Sequence, residues 1–282
     1  MAQQAVADPT YVMGRSEAEA QRLMLQSRIL DRITRRFLAD AGIAPGMTVL
    51  HVGSGAGDVA FAAADLVGPR GRVIGVDLNP AILETARERA VAEERDNIEF
   101  IAGDCRDVAL PHGVDAAVGR LVLFYTGDMS ETLRTIVERV KPGGVVAFAE
   151  ADFRTVLDYL QAGPEGVNRS AWQWGIRAFA SAGIATAMVA QLYRAFLAAG
   201  LGAPTMAVQA PLCGADEWDG FAWLAASLRS LQPLLDEYGI VTAETLDVER
   251  LAARARAEVA ATGYPLMLLP VVTAWARKPL AP

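Results

Sequence analysis

Three glycines, Gly53, Gly55 and Gly57, stand in the segment VLHVGSGAGDVA, directly after an apolar run and before an amphipathic stretch, with Ser54 between the first two. Glycine at a strand-to-helix junction lets the backbone turn tightly and lets a ligand lie against bare main chain, under the N–H groups that open the helix. The pattern is that of a nucleotide-cofactor loop. A tight turn without a ligand would use the same residue types, so a second feature has to agree. Asp77 does: it ends the next apolar run, RVIGVD, where a carboxylate can accept from both hydroxyls of a ribose.

Two cofactors would offer a ribose to that carboxylate. The dinucleotide fingerprint has Gly or Ala three positions after its second Gly, whereas Asp58 stands there in this chain, with Gly57 one place earlier. A carboxylate repels a pyrophosphate but tolerates a sulfonium and an ammonium group. The charge pattern thus favours S-adenosyl-L-methionine (SAM) over NAD and makes an NAD-linked oxidoreductase the weaker reading. Gly53, Ser54, Gly55, Asp58 and Asp77 are the candidate cofactor residues of this loop.

Glu150 and Asp152 flank the end of a later apolar run, on the edge where open α/β sheets place ligands. One of them contacting the substrate as a base is the functional reading; a helix cap or solvated loop acid is the structural one, and both stand open. His51, two residues before Gly53, reads as a satisfied histidine near the core, and His112 as a surface histidine. No His, Cys, Asp and Glu spacing suggests a metal.

These residues need a scaffold. Residues 16–42 carry apolar positions at helical spacing between Ser16 and Gly42. From residue 47 short apolar runs alternate with amphipathic stretches, as in βαβ units with a parallel sheet. Strands are predicted near 47–52, 72–76, 98–101, 114–119 and 145–150, with helices over 57–67, 80–94 and 129–140. Asn79 and Pro80 form a strong helix start. Beyond 150 the alternation loosens into a helix around 186–199, a strand around 204–212, a helical region over 216–261 and a last strand around 266–276.

At this point the chain resembles the class I SAM-dependent methyltransferases over roughly residues 11–150. VLHVGSGAG looks like their first motif, VIGVDLNP their second, NIEFIAGDCRD their third, and VKPGGVVAFAE their turn into the fifth strand. The resemblance implies that Asp77 holds the ribose, Leu78 packs on the adenine, Asp104 accepts from its amino group, and Cys105 donates its backbone N–H to the ring. VDAAVGRLVLFY resembles the strand beneath the methionine end of SAM, placing Gly119, Arg120 and Leu121 there. His51 departs from the family, which usually has an acid at that position. YVMGRSEAEAQRL resembles the lid of small-molecule members, with Tyr11 and Gln26 as cofactor contacts.

The expected fold is therefore α/β: a Rossmann-like, seven-stranded, mostly parallel sheet flanked by helices, with an N-terminal helical lid and helical cap insertions. The lid is 1–45, the SAM-binding core 46–151, the caps 152–185 and 215–262, and 186–214 with 263–282 complete the sheet. Trp172, Trp174, Trp218, Phe221 and Trp223 fall in the caps. Aromatics so spaced serve packing more often than pockets, but a cap lined with them would suit an apolar or aromatic small molecule.

A formal net charge of -7 removes any general attraction to phosphate backbones or anionic lipid, so neither nucleic acid nor a membrane is an expected partner. The chain lacks the Asn/Asp-Pro-Pro-Tyr element of base amino-group methylases; it has GRLVLFY there. Two cysteines without ligand spacing, and no basic start followed by an apolar core, point to a cytoplasmic protein, monomeric or homodimeric. Family analogy suggests specialised metabolism. A SAM-fold binder without methyl transfer is the remaining alternative.

Overall fold

The apolar runs VLHV, VIGV and VVAFAEA are buried along nearly their whole length, as parallel strands covered on both faces require. In the computed structural model, which describes Met13 and residues 17–280, they form the middle of a sheet. The first half of the chain runs α1 (Glu17–Asp40), β1 (Thr48–Val52), α2 (Asp58–Val67), β2 (Arg72–Asp77), α3 (Pro80–Ala92), β3 (Ile98–Ala102), β4 (Val114–Arg120), α4 (Met129–Arg139) and β5 (Val140–Ala151). The second half runs α5 (Phe153–Ala162), α6 (Val167–Ser181), α7 (Met188–Ala198), β6 (Thr205–Gln209), β7 (Leu212–Cys213), α8 (Trp218–Glu237), α9 (Ala243–Leu246), α10 (Val248–Thr262), β8 (Leu266–Met267) and β9 (Val271–Arg277).

Seven strands share one sheet in the order β3-β2-β1-β4-β5-β9-β6, and β9 alone runs antiparallel to its neighbours. The strand order reverses at β1 and β4, which opens a crevice beyond their carboxyl ends. Helix α2 packs on β1 and β2, α4 on β4 and β5, and α7 on β9. Helix α8 packs against α1, α6 and α10, so lid and caps form one helical layer.

Helix starts follow the local chemistry. The Asn79 side chain accepts from the Ala81 N–H at 3.1 Å ahead of Pro80, and Asp128 accepts from the Glu131 N–H at 2.9 Å to open α4. Prolines divide two of the expected strands, and Pro142 with Gly143 disturbs the start of a third, β5, ahead of its expected span. Between β4 and β5 the register steps from Val114↔Val140 to Ala116↔Val145, because Pro142 has no N–H to give and Gly143 turns at φ 76. The strand expected over 204–212 divides into β6 and β7 before Pro211, and that over 266–276 into β8 and β9 at Pro270; β7 and β8 pair with each other as a separate two-stranded ribbon.

Asp152 is a structural residue here. It is 3% exposed, its Oδ2 accepts from the Thr155 N–H (3.2 Å) and hydroxyl (2.9 Å), and its Oδ1 accepts from the N–H groups of Met188 (2.7 Å) and Val189 (3.4 Å). One carboxylate thus caps α5 and α7 together, and both oxygens are spent on that. The catalytic expectation for Asp152 gives way to the helix-cap reading. Replacing it with Ala should cost about 2 to 4 kcal/mol of stability, read as the urea unfolding midpoint. Cofactor affinity of the folded variant should be unchanged; a stability loss below about 1 kcal/mol would reject the double-cap role.

Candidate active site

After β1 the chain turns through Gly53 at φ 67, and a Cβ there would lie 2.5 Å from Val122 Cγ2, so the next turn closes on bare backbone. Gly55, at φ 51, faces open space: a Cβ would meet nothing within 4 Å. Asp77 binds this loop to the one after β2, its Oδ2 accepting from the Gly55 N–H (2.8 Å) and its Oδ1 from the Asn79 N–H (2.9 Å). The carboxylate that the sequence assigns to a ribose therefore also shapes the loop beneath it.

Asp58, the first residue of α2, accepts from Arg89 Nη1 at 2.8 Å and lies 3.8 Å from Arg120 Nη2. Two guanidinium groups thus offset its charge, and repulsion of a pyrophosphate by Asp58 is weaker than the sequence suggests. Arg120 is buried, donates to the Thr34 hydroxyl at 2.6 Å, and has its pKa lowered by desolvation, against the pull of Asp58 and Asp31. His51 is 1% exposed, and among the described residues neither ring nitrogen has a hydrogen-bond partner. Burial, aided by the Arg120 charge, drops its pKa to about 3, so the imidazole is neutral. The expectation of a satisfied core histidine is corrected: His51 is buried but unpaired, and it borders the cavity.

Glu150 is fully buried within β5. Its Oε1 accepts from the N–H groups of Leu123 (2.9 Å) and Val122 (3.3 Å), while Oε2 has no partner among the described residues. Those N–H groups belong to a turn in which Leu121 takes the left-handed backbone at φ 57, an unfavourable conformation for a leucine. Glu150 is therefore a positioning residue for the 121–125 turn, and its side chain is absent from the cavity wall.

One cavity of about 730 Å³ gathers the loops at the carboxyl edge of the sheet. Gly53, Ser54, Gly55, Asp58, Asp77, Leu78, Asp104, Cys105 and Arg120 all border it, as does Gln26 from α1. Asp104 is held below the usual carboxylate range by the Arg106 guanidinium, and desolvation raises the Cys105 thiol to about 11. Gly119 is packed against Phe148 beneath the wall, and Tyr11 lies outside the described residues. His112 is exposed, beside Arg139. Among the described residues no group of three or more His, Cys, Asp or Glu could hold a metal ion.

The caps cover the far side of the cavity with Trp172, Phe179 and Trp223, joined by Phe124 and Phe153. Phe153 and Phe179 stack at 5.2 Å, and Trp172 and Trp223 lie 5.8 Å apart. Of the other cap aromatics, Phe221 is core and Trp218 is 49% exposed. Sequence reasoning missed Glu19 and Arg22, a buried pair at 2.7 Å on the cavity wall, with Arg22 also donating to Gln26 (2.7 Å) and Ser230 donating to Glu19 (2.9 Å). Charged residues on the apolar face of the first helix were the signal for them.

Glu150 gives the site a pH dependence. Desolvation lifts its pKa from an ordinary 4.5 to about 8, although the backbone N–H groups pull the other way. Between those values the unfolded chain releases a proton that the native protein keeps, so stability falls as pH rises toward 8. Glu150→Gln removes the ionisation and retains the Oε1 acceptor. Relative to the parent protein it should gain roughly 3 to 4 kcal/mol between pH 5 and pH 8 in unfolding experiments; a pH-independent difference would refute a proton held there.

Comparison with known proteins agrees with this geometry. A family model described as a methyltransferase domain matches residues 43–183. An arsenite methyltransferase from Halobacterium salinarum is 35% identical over 113 residues, 40% of this chain and 29% of that protein. A demethylmenaquinone methyltransferase from Lactococcus lactis is 34% identical over 118 residues, 42% of this chain and 47% of that protein. The chain thus spans less than half the length of these curated relatives. Among solved structures, a putative methyltransferase from Bacillus halodurans superposes with a TM-score of 0.57 at 15% identity, covering 87% of this chain and 98% of that one. The [4+2]-cyclase SpnF superposes at 0.54 with 20% identity, covering 89% and 81%. Both structures show a shared fold. With half of its residues matched by the family model, and the motif residues gathered on one cavity, the chain belongs to the class I SAM-dependent methyltransferase family.

Proposed function

We propose that this chain transfers a methyl group from SAM to a small, largely apolar acceptor at oxygen, nitrogen or carbon. The observation that carries this reading is one cavity with two chemically different sides. Its floor is built from polar loops at the sheet edge and its roof from cap aromatics and leucines. A volume of about 730 Å³ is ample for a small-molecule site.

The floor suits the cofactor. Gly55 presents bare backbone, Asp77 stands where ribose hydroxyls would donate to it, Leu78 offers an apolar contact, and Asp104 supplies an acceptor for an amino group. Arg120 fixes a buried cation at the wall. Bound SAM supplies an electrophilic methyl on a sulfonium. The residues of this chain then contribute alignment and dryness, the main requirements of an in-line displacement. Glu150 holds the 121–125 turn in place, and the cap aromatics exclude water. The neutral His51 is too weakly basic to act as a general base near neutrality.

The relatives' names offer two acceptors, arsenite and demethylmenaquinone. Arsenite calls for soft thiolate ligands. In this chain Cys105 sits on the floor and Cys213 outside the cavity, and burial raises both thiols to about 11, so they stay protonated. An apolar ring acceptor fits the aromatic roof better. Two unpaired thiols suit a reducing compartment, so we retain the cytoplasm as its location and specialised metabolism as its setting. Among the described residues no helix is long and apolar enough to cross a membrane.

Calorimetric titration with SAM, S-adenosylhomocysteine and NAD tests the cofactor. The first two should bind and NAD should not; binding of NAD alone would overturn the reading. Asp77→Ala should weaken SAM binding by about 1 to 3 kcal/mol, and unchanged affinity would remove Asp77 from the cofactor site.

A further inference from the structure

The aromatic and leucine-lined side of the cavity contains two polar groups that nothing among the described residues satisfies. Trp223 is 5% exposed and Ser227 is 9% exposed; both border the cavity, and neither the indole Nε1 nor the hydroxyl Oγ has a hydrogen-bond partner. They stand four residues apart on α8, so their side chains lie one above the other on the same helix face. Their neighbours behave otherwise. Trp172, 5.8 Å from Trp223, donates its indole N–H to the Met267 carbonyl at 3.1 Å, and Ser230, further along α8, donates to Glu19 at 2.9 Å. A buried serine in a helix can bond back to the carbonyl four residues earlier, yet Ser227 does not.

Burying an indole N–H and a hydroxyl unpaired is unfavourable, and Phe and Ala would fill the same space without that penalty. An indole N–H only donates, and a hydroxyl can donate. Two donors one helical turn apart, beside Leu224, Leu228 and Trp172 on the cavity wall, are therefore suited to an oxygen acceptor on the molecule bound there. Leu224 and Leu228 on the same helix, with Phe153 and Phe179 across the chamber, would enclose its carbon frame.

We propose that Trp223 and Ser227 form an oxygen-recognition subsite, and that the substrate class is an apolar ring compound carrying a carbonyl or phenolic oxygen. This rests on the methyltransferase reading above, from which it takes the assignment of the roof to the acceptor. The subsite fixes orientation: with the oxygen on α8, one edge of the ring is turned toward the loops at the sheet edge. It discriminates against rings of equal size without oxygen, because those would leave both donors unpaired.

The test is direct binding, without turnover. Protein saturated with S-adenosylhomocysteine is titrated calorimetrically with 2-naphthol, 1-tetralone and naphthalene, for the parent protein, Trp223→Phe and Ser227→Ala. The parent should bind the two oxygen-bearing probes about tenfold or more tightly than naphthalene. Each variant should lose about five- to tenfold in affinity for those probes while holding naphthalene within about twofold. Equal affinity of the parent for all three probes, no binding of any of them, or losses in the variants that are the same with and without the oxygen would each overturn the proposal. Ser227→Ala removes one oxygen atom and serves where Trp223→Phe disturbs folding. S-adenosylhomocysteine affinity reports on the underlying reading separately: it should be unchanged in both variants, and a parent protein that fails to bind it would overturn the cofactor assignment, not the subsite.

Discussion

Backbone N–H groups that leave the carboxyl edge of the sheet must find acceptors, and in this protein carboxylates at that edge supply them. Asp77 ends β2 and takes N–H groups from the loops after β1 and β2. Glu150, near the end of β5, takes two from the turn after β4. Asp152 follows at once and takes N–H groups from the starts of α5 and α7. Hydrogen bonds of this kind tie the loops to the strand ends and leave them little freedom to move. The site is thus preorganised by acids whose main partners are main chain, and acids so engaged make poor candidates for proton transfer to a substrate.

That constraint explains what was legible in the sequence. The alternation of VLHV, VIGV and VVAFAEA with amphipathic stretches locates five of the seven sheet strands, because burial on both faces leaves a nearly continuous apolar run. Asn79 and Pro80 place α3 through a purely local rule. The glycine loop was legible through residues adjacent in sequence, and Asp77 through its place at the end of the strand that pairs with β1. The roles of Glu150 and Asp152 were not, because an acid at a strand end looks the same whether it faces a ligand or a helix start. The positions of Leu123 and Met188 decide it, and those partners come from other segments.

The second half of the chain shows the limit of periodicity. Apolar spacing gives helices there, but their arrangement depends on which faces meet, and α8 meets three helices at once. The same packing separates cap aromatics that look equivalent in sequence: Trp172 and Trp223 reach the cavity, Phe221 fills the core, and Trp218 stays half-exposed at 49%. Strand breaks at Pro211 and Pro270 were readable as prolines, and their effect is to let β7 and β8 form a ribbon beside the caps.

Charge and its absence then divide the cavity. A buried pair, Glu19 with Arg22, stands on α1 beside α8, and on the floor Asp58 has Arg89 and Arg120 close by and Asp104 has Arg106. Such a floor is polar without a large net field, so it can seat a ligand that carries both signs of charge. The roof offers aromatic rings and leucines, which favour an uncharged body and would leave a charged one unsolvated. Where the two halves meet, at Arg120, Leu121 and Val122, the chain holds its left-handed leucine turn in place through Glu150. Rigidity at that seam is worth more to a displacement reaction than rigidity elsewhere, because alignment across it sets the approach of the two reactants.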